Sequence, residues 1–421
     1  MADVHLLDWF TAQSLIDDPF PFFEAVRQQG PIWQEPNHGS FLVTGYEETA
    51  AIYRDPDTFS SCNAFAGPFP PLPDAPYGDD VSDSIDKHRG QFIASESLIT
   101  FDPPKHTDHR GLLMRLLTPK RLQENEAFMG RLADQRIDTF IANGRCDFIA
   151  EYAQPFSMLV IADLLGVPEE DHDALRACFK AAGAPGGVGK DIPSNPLWFL
   201  EDFFVPYIEN RRQEPKDDVL TKMALGTFSD GSLPDAVETV RVATILFAGG
   251  QGTVARFLGN MVKFIAEHPE LQQQLRDERD RIPNFIEEML RYDSPVKVNF
   301  RMARRSTTVG GAQIPAGSVL VLLLPATDRD PDRFECPAEH RADRDNAREH
   351  IAFGRGAHTC PGAPLVRADA RVTLEHLLDR LSDIRISEAE HGTSVARRYQ
   401  YTDSWILRGV DALHLEFTAI E

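Results

Sequence analysis

The residues best suited to chemistry sit in one decapeptide, FGRGAHTCPG, residues 353 to 362. A cysteine packs well as a small apolar residue and needs no special neighbours for that. Cys360 nevertheless has Gly354, Gly356 and Gly362, a proline, His358 and Arg355 around it. Glycines admit close backbone approach and cations favour the thiolate, so the surroundings suit a sulfur that acts as an anion.

Three readings compete for Cys360. Plain burial is the common fate of a lone cysteine, but it leaves the glycines and His358 without a reason. Structural zinc has four candidate donors in Cys336, His340, His358 and Cys360. One residue between His358 and Cys360, and no C-x-x-C pair nearby, is the wrong spacing for such a site. The third reading is an axial thiolate on a haem iron. The helix start at Pro361–Leu365 and nearby cations would lower the thiol's pKa. Backbone N–H groups aimed at the sulfur by the turn at Gly356 and Gly362 would tune it. Haem also carries two propionates, so cationic or hydrogen-bonding side chains must converge from elsewhere.

FGRGAHTCPG is similar to the F-x-x-G-x-x-x-C-x-G haem loop of the cytochrome P450 family, with Phe353, Gly356, Cys360 and Gly362 in register. EEMLR resembles that family's E-x-x-R motif and puts Glu288 and Arg291 one turn apart on one helix face. DPPKHTDHR resembles its D-P-P-x-H-T-x-x-R segment. By that resemblance His106 and Arg110 reach a propionate, and Arg301 in VNFRMARR and His358 serve the propionates from the other side. Singly, each piece has an ordinary reading: a surface Glu–Arg pair, exposed basic residues, a strand-edge charge. Five pieces in the family's order over essentially the whole chain make the resemblance, which looks most like soluble bacterial members.

The resemblance implies a mainly α fold with small β-sheets, a single domain over residues 1–421. Haem b would lie between a long central helix, at Ala248 and Gly249, and the helix that follows the cysteine loop. It implies monooxygenation with O2, in which the thiolate favours O–O cleavage and oxygen enters a C–H bond. Electrons would come from NAD(P)H through a reductase and a [2Fe–2S] ferredoxin. Such ferredoxins are acidic, so Arg110, Arg115, Arg355 and Arg367 are candidates for a basic docking patch.

Two departures stand out. In GGQGT the Thr253 hydroxyl would hydrogen-bond dioxygen and relay protons, but the usually acidic position before it is Gly252. Gln251 does not titrate, although it can order water, so a water chain, another acid or a substrate hydroxyl is expected to deliver protons. In the stretch FECPAEHRADR we assign His340 as third partner of the Glu288–Arg291 pair, where many members have an arginine.

The elements that must position these residues are legible in outline. A helix is expected from a Ser232 cap, with Pro234 in its first turn, to a stop before Pro269. Gly249, Gly250 and Gly252 in its middle each cost about 1 kcal/mol relative to Ala, so their missing side chains must be used. A second helix is expected over 118–144, ended by Asn-Gly. The Pro/Gly-rich run NAFAGPFPPLPDAPYGDD holds no regular helix. The 62–98 and 181–200 regions are expected to be substrate-access loops.

By family position the substrate pocket would draw on Phe65, Phe69, Ile245, Val296, Val298, Asn299 and Trp405. The two phenylalanines equally suit pinning the Pro-rich loop to the core. An apolar terpenoid, branched-lipid or steroid-like substrate fits, with Asn299 as a polar anchor.

Bulk properties bound the rest. With 421 residues, 42% hydrophobic and 26% charged, the chain can build a sizeable core. A net charge of −22 argues against nucleic acid or an anionic membrane as main partner. Five scattered cysteines suit reduced thiols. The acidic opening stretch, without a long apolar run, is expected to be neither a signal peptide nor a spanning helix, and the protein to be cytoplasmic. Three other readings remain open: a peroxide-driven or oxidative-coupling P450, encouraged by Gly252 and opposed by Thr253; a haem-binding sensor without turnover; and two separate domains with structural zinc.

Overall fold

The computed structural model describes residues 4–73, 77–182 and 198–420. Most of the expected 181–200 access loop therefore lies outside the described residues.

The long helix runs Ala236–Glu267, 32 residues or about 48 Å. Its cap is Asp235, whose carboxylate accepts from the Glu238 N–H at 2.7 Å. The expected cap, Ser232, donates its hydroxyl to Asp230 at 2.6 Å and sits before Pro234, outside the helix. The helix threads the main apolar core, where Phe156, Phe204, Phe247, Phe257 and Phe285 are fully buried. Gly250 and Gly259 let neighbouring isoleucines close in on it: a Cβ there would lie 2.8 Å from Ile161 Cδ1 and 2.6 Å from Ile149 Cδ1. The 118–144 region forms a helix over Pro119–Asp138 behind a Thr118 cap, and the chain turns at Gly144 with φ +62°.

A five-stranded sheet flanks the helices in the order Ile32–Gln34, Phe41–Val43, Val319–Leu323, Val298–Ala303, Phe59–Ser60. Only the Phe41–Val43 and Val319–Leu323 pair is parallel. The Val298–Ala303 strand matters for the site, because alternate residues face opposite sides. Val298 and Phe300 enter an apolar cluster with Trp9 and Trp405, while Asn299 and Arg301 face a central cavity. Near the C-terminal end the strand His414–Ala419 is held between Arg145–Asp147 and Leu381–Ile386. Upstream of it, the bridge Val296–Leu407 and the bond from Lys297 N–H to the Ile406 carbonyl, 2.7 Å, tie the cavity-lining turn to the C-terminal loop.

The cysteine loop is folded back on itself, with the Cys360 N–H bonded to the Phe353 carbonyl at 2.8 Å. Gly356 has φ +68°, and a Cβ there would fall 2.2 Å from the Tyr53 carbonyl oxygen. Its bareness also admits the close contact with the Tyr46–Arg54 helix. The helix Ala363–Arg380 starts directly after Gly362.

Candidate active site

A cavity of about 340 Å³ opens between the central helix, the cysteine loop and the Val298–Ala303 strand. Ala248 and Gly249 are exposed within an otherwise buried stretch of helix, and the space they face is this cavity. A Cβ added at Gly249 would meet nothing within 4 Å. The central glycines therefore divide their roles: Gly249 opens the cavity, Gly250 admits Ile161, and Gly252 makes room for Arg256, whose Nη1 would be 2.9 Å from a Cβ there.

One wall carries the sulfur. Cys360 lines the cavity, and its Sγ accepts from the backbone N–H groups of Gly362 and Ala363. Burial pushes the thiol's pKa up, against those donors and the Arg110 guanidinium. A bound metal cation would reverse that balance and hold the sulfur as thiolate.

The flank of the cavity carries positive charge without a counter-ion. Arg301 is 6% exposed, donates to the Phe300 carbonyl at 2.6 Å and lies 5.2 Å over the Tyr53 ring. Arg110 donates to the Thr359 carbonyl at 2.6 Å. The rings of His106 and His358 stand 3.9 Å apart, and the Nε2 of each is buried with no partner. His358 also hydrogen-bonds the Phe101 carbonyl, which leaves Nε2 as the free position. Desolvation first, then the Arg110 cation, pushes the His106 pKa down to about 4. Desolvation and Arg301 lower His358 further. Neither guanidinium forms an ion pair among the described residues, and Asp102, the acid that acts on this group, is engaged by Arg304 at 2.6 Å.

One buried and one half-buried guanidinium and two orphaned imidazoles call for anionic oxygen, since a buried cation is costly unless paired. Two carboxylates placed there would satisfy the orphaned donors and raise both imidazole pKa values, so that each Nε2 carries a proton to donate. A flat, dianionic metalloporphyrin fits this donor set: sulfur on one wall, carboxylate partners at the edge, apolar walls elsewhere.

The remaining expected residues divide cleanly. Phe65, Ile245, Val296, Asn299, Phe353, Gly362 and Thr253 line the cavity. Asn299 Nδ2 donates to the Tyr53 hydroxyl at 2.7 Å. Val298 does not reach the cavity, because strand alternation turns it to the opposite face. Trp405 packs edge-on against Phe10 and Phe300, at 5.2 and 5.5 Å, in the same outer cluster. Phe69 is 40% exposed and rests on Phe10 and His38, so it pins the Pro-rich loop and does not line this cavity. Gln251 and Gly252 also stay off the wall; the Gln251 carbonyl accepts from Ser157 at 3.0 Å. Tyr53 is a cavity residue that sequence reasoning misses. An aromatic on the apolar stripe of a short helix reads as core, and nothing local marks it otherwise.

Glu288 and Arg291 pair bidentately, both at 2.7 Å and both fully buried. Their third partner is Arg344, whose Nε lies 3.1 Å from both Glu288 oxygens. His340, expected in that role, instead packs on Phe264 at 4.3 Å, with burial lowering its pKa to about 4. The zinc reading finds no support: Cys336 is exposed, and no group of three or more His, Cys, Asp or Glu that could hold a metal ion occurs among the described residues. The four candidate docking cations are mostly engaged internally. Arg367 pairs with Glu287 at 2.6 Å, Arg355 donates to the Glu349 carbonyl at 2.8 Å, and Arg110 lines the cavity.

Comparison with known proteins agrees with this geometry. The family model described as Cytochrome P450 matches residues 197–384. Cytochrome P450 144 of Mycobacterium tuberculosis is 33% identical, over 90% of this chain and 86% of its own. The substrate-free structure of Mycobacterium marinum cytochrome P450 CYP150A6 superposes with a TM-score of 0.94 at 51% identity, covering 99% of this chain and 100% of that one. CYP109E1 from Bacillus megaterium, solved in complex with corticosterone, gives a TM-score of 0.78 at 25% identity, covering 95% and 98%. The cavity with its sulfur, its unpaired cations and its porphyrin-shaped donor set thus has the kinship its chemistry implies: the chain belongs to the cytochrome P450 family of haem b monooxygenases.

Proposed function

We propose that this monooxygenase inserts one oxygen atom into a C–H bond of a small, uncharged, apolar substrate, with electrons from NAD(P)H delivered through a reductase and a [2Fe–2S] ferredoxin. Haem b, when bound, supplies the oxygen activation. Cys360 would bind its iron through sulfur, and His106, Arg110, Arg301 and His358 would hold its two propionates. The observation that carries the reading is the arrangement of charge in the cavity. His106, Arg110, Arg301 and His358 all line this one cavity, where a porphyrin's acid edge would find them, while Phe65, Ile245, Ala248 and Val296 give it an apolar wall.

Thr253 is the hydroxyl on that wall. Its Oγ1–H donates to the Gly249 carbonyl, with Gly250 O at 3.2 Å, which leaves its lone pairs to accept a hydrogen bond from the oxygen side. Ala64, Phe65 and Leu98 bring the 62–98 segment to the cavity, in keeping with an access role for it. A terpenoid, branched-lipid or steroid-like molecule suits such walls, and the corticosterone complex of CYP109E1 makes a steroid the first ligand to try. No helix among the described residues is long and apolar enough to cross a membrane.

The ferrous–CO difference spectrum tests the assignment. The purified protein should show the red-shifted Soret band of thiolate ligation, and Cys360→His should abolish it while leaving the fold intact. A preparation that binds haem without that band would end the thiolate assignment. Gly252 keeps a peroxide-driven reaction in play; higher product yield with hydrogen peroxide alone than with ferredoxin, reductase and NAD(P)H would favour it.

A further inference from the structure

One turn beyond Gly252 on the central helix stands Arg256. Its Nη1 donates to the Gly252 carbonyl at 2.8 Å and its Nε to Thr402 Oγ1 at 3.2 Å. Thr402 in turn donates to Asp411 Oδ1 at 2.8 Å, at the surface. The arginine is accommodated by two bare backbone positions far apart in sequence. A Cβ at Gly252 would lie 2.9 Å from its Nη1, and one at Gly409 would lie 2.5 Å from its Cγ. Asp411 is the acid whose field reaches the guanidinium, and the two form no ion pair. Among the described residues no Asp or Glu lines the cavity.

We propose that Arg256 is a positioning residue beside Gly252 on the central helix, filling the space a carboxylate at position 252 would need and capturing any acid placed there as an ion pair. Only its consequence for catalysis rests on the monooxygenase reading. A guanidinium keeps its proton throughout the working pH range, so it relays nothing. It holds fixed positive charge beside Gly252 instead.

The test compares Gly252→Asp with its neutral counterpart Gly252→Asn, each with Arg256 retained and each combined with Arg256→Gln. Thermal midpoints of the holoenzymes are followed from about pH 7.5 to about pH 5. With Arg256 present, the introduced carboxylate is ion-paired and has a folded-state pKa below its unfolded value. Its contribution is then fully present above the unfolded pKa, and the difference between the acid and the amide variant stays flat over this window. Combined with Arg256→Gln, the introduced carboxyl loses its partner and burial raises its pKa. The acid variant is then penalised at the upper pH and regains stability as pH falls and the carboxyl takes up a proton.

Hydrogen peroxide released per NAD(P)H, driven by a surrogate ferredoxin and reductase, should change less than about twofold on Gly252→Asp with Arg256, and more than about fivefold without it. The same upward drift of the acid variant with Arg256 in place would overturn the proposal. So would folding of the amide variant but not the acid variant in that background, or an introduced acid that is silent in both. The thermal arm needs no turnover, so a protein that binds haem yet oxidises nothing still decides it.

Discussion

At the scale of single residues, the basic cluster around Cys360 is brought to one cavity from stretches far apart in sequence. Cys360, His106, Arg110, Arg301 and His358 come from separate stretches and are each identifiable by their motif, yet what unites them is visible only in three dimensions. Four basic side chains surround one space, with two ring nitrogens left without partners. Arg301 is the more deeply placed of the two guanidinium groups, and its removal should be felt first in haem retention. Arg301→Leu is expected to lower the haem-to-protein ratio of the purified enzyme several-fold, with Arg301→Lys intermediate because an ammonium keeps the charge but loses the planar fork. Equal haem content in all three proteins would mean that the propionates lie elsewhere. The pocket residues were less legible for a simple reason. Val296, Val298 and Asn299 are near neighbours in sequence, but a strand sends alternate side chains to opposite faces, and the phase of that alternation depends on pairing that sequence does not display.

At the scale of elements, the long helix was readable from its apolar run and its stop before Pro269, although its cap is Asp235 and not Ser232, whereas the irregular stretch from Asp328 to His350 was not readable. Regular elements repeat, so a partner can be counted along them. An irregular segment has no period, and that is why Arg344, and not His340, completes the Glu288–Arg291 pair. The network fixes the segment before the cysteine loop: Arg291 also donates to the carbonyls of Asp328, Pro337 and Glu339 at 3.0, 2.8 and 2.9 Å. Burial alone would raise the Glu288 pKa, but the hydrogen bonds from Arg291, Arg341 N–H and Arg344 outweigh it and lower the value. Taking away one cation strands buried charge, which costs about 3–5 kcal/mol in comparable cases. Arg344→Met, which keeps much of the volume, should therefore lower the unfolding free energy by about that amount, read from the midpoint of urea unfolding at unchanged slope. A loss below about 1 kcal/mol would show that solvent already reaches the network.

At the scale of the whole molecule the governing quantity is charge. The chain carries −22 in total, which suggests that an acidic ferredoxin would need a local basic patch to dock. Of the four arginines that sequence nominated for it, Arg367 is neutralised by Glu287, Arg355 is held by the Glu349 carbonyl and the Tyr46 hydroxyl, and Arg110 faces the cavity. Arg115 is the exposed one, and its Nη2 rests on the Thr227 carbonyl at 2.9 Å. Sequence shows where cations stand but not which are already paired: Arg367 meets Glu287, while Arg355 and Arg115 rest on neutral oxygens and keep their charge, and Arg110 faces the cavity. A paired cation contributes little field beyond a Debye length, about 8 Å at physiological salt. With Arg115 and Arg355 alone of the four left to oppose a net charge of −22, electrostatic steering of an acidic partner should be weak. Raising ionic strength from about 50 to about 500 mM is expected to slow reduction by a surrogate ferredoxin by less than about tenfold, and Arg115→Glu to account for most of the sensitivity that remains. A steep salt dependence that survives Arg115→Glu would place the docking charge on other residues and reject weak steering as the rule for this enzyme.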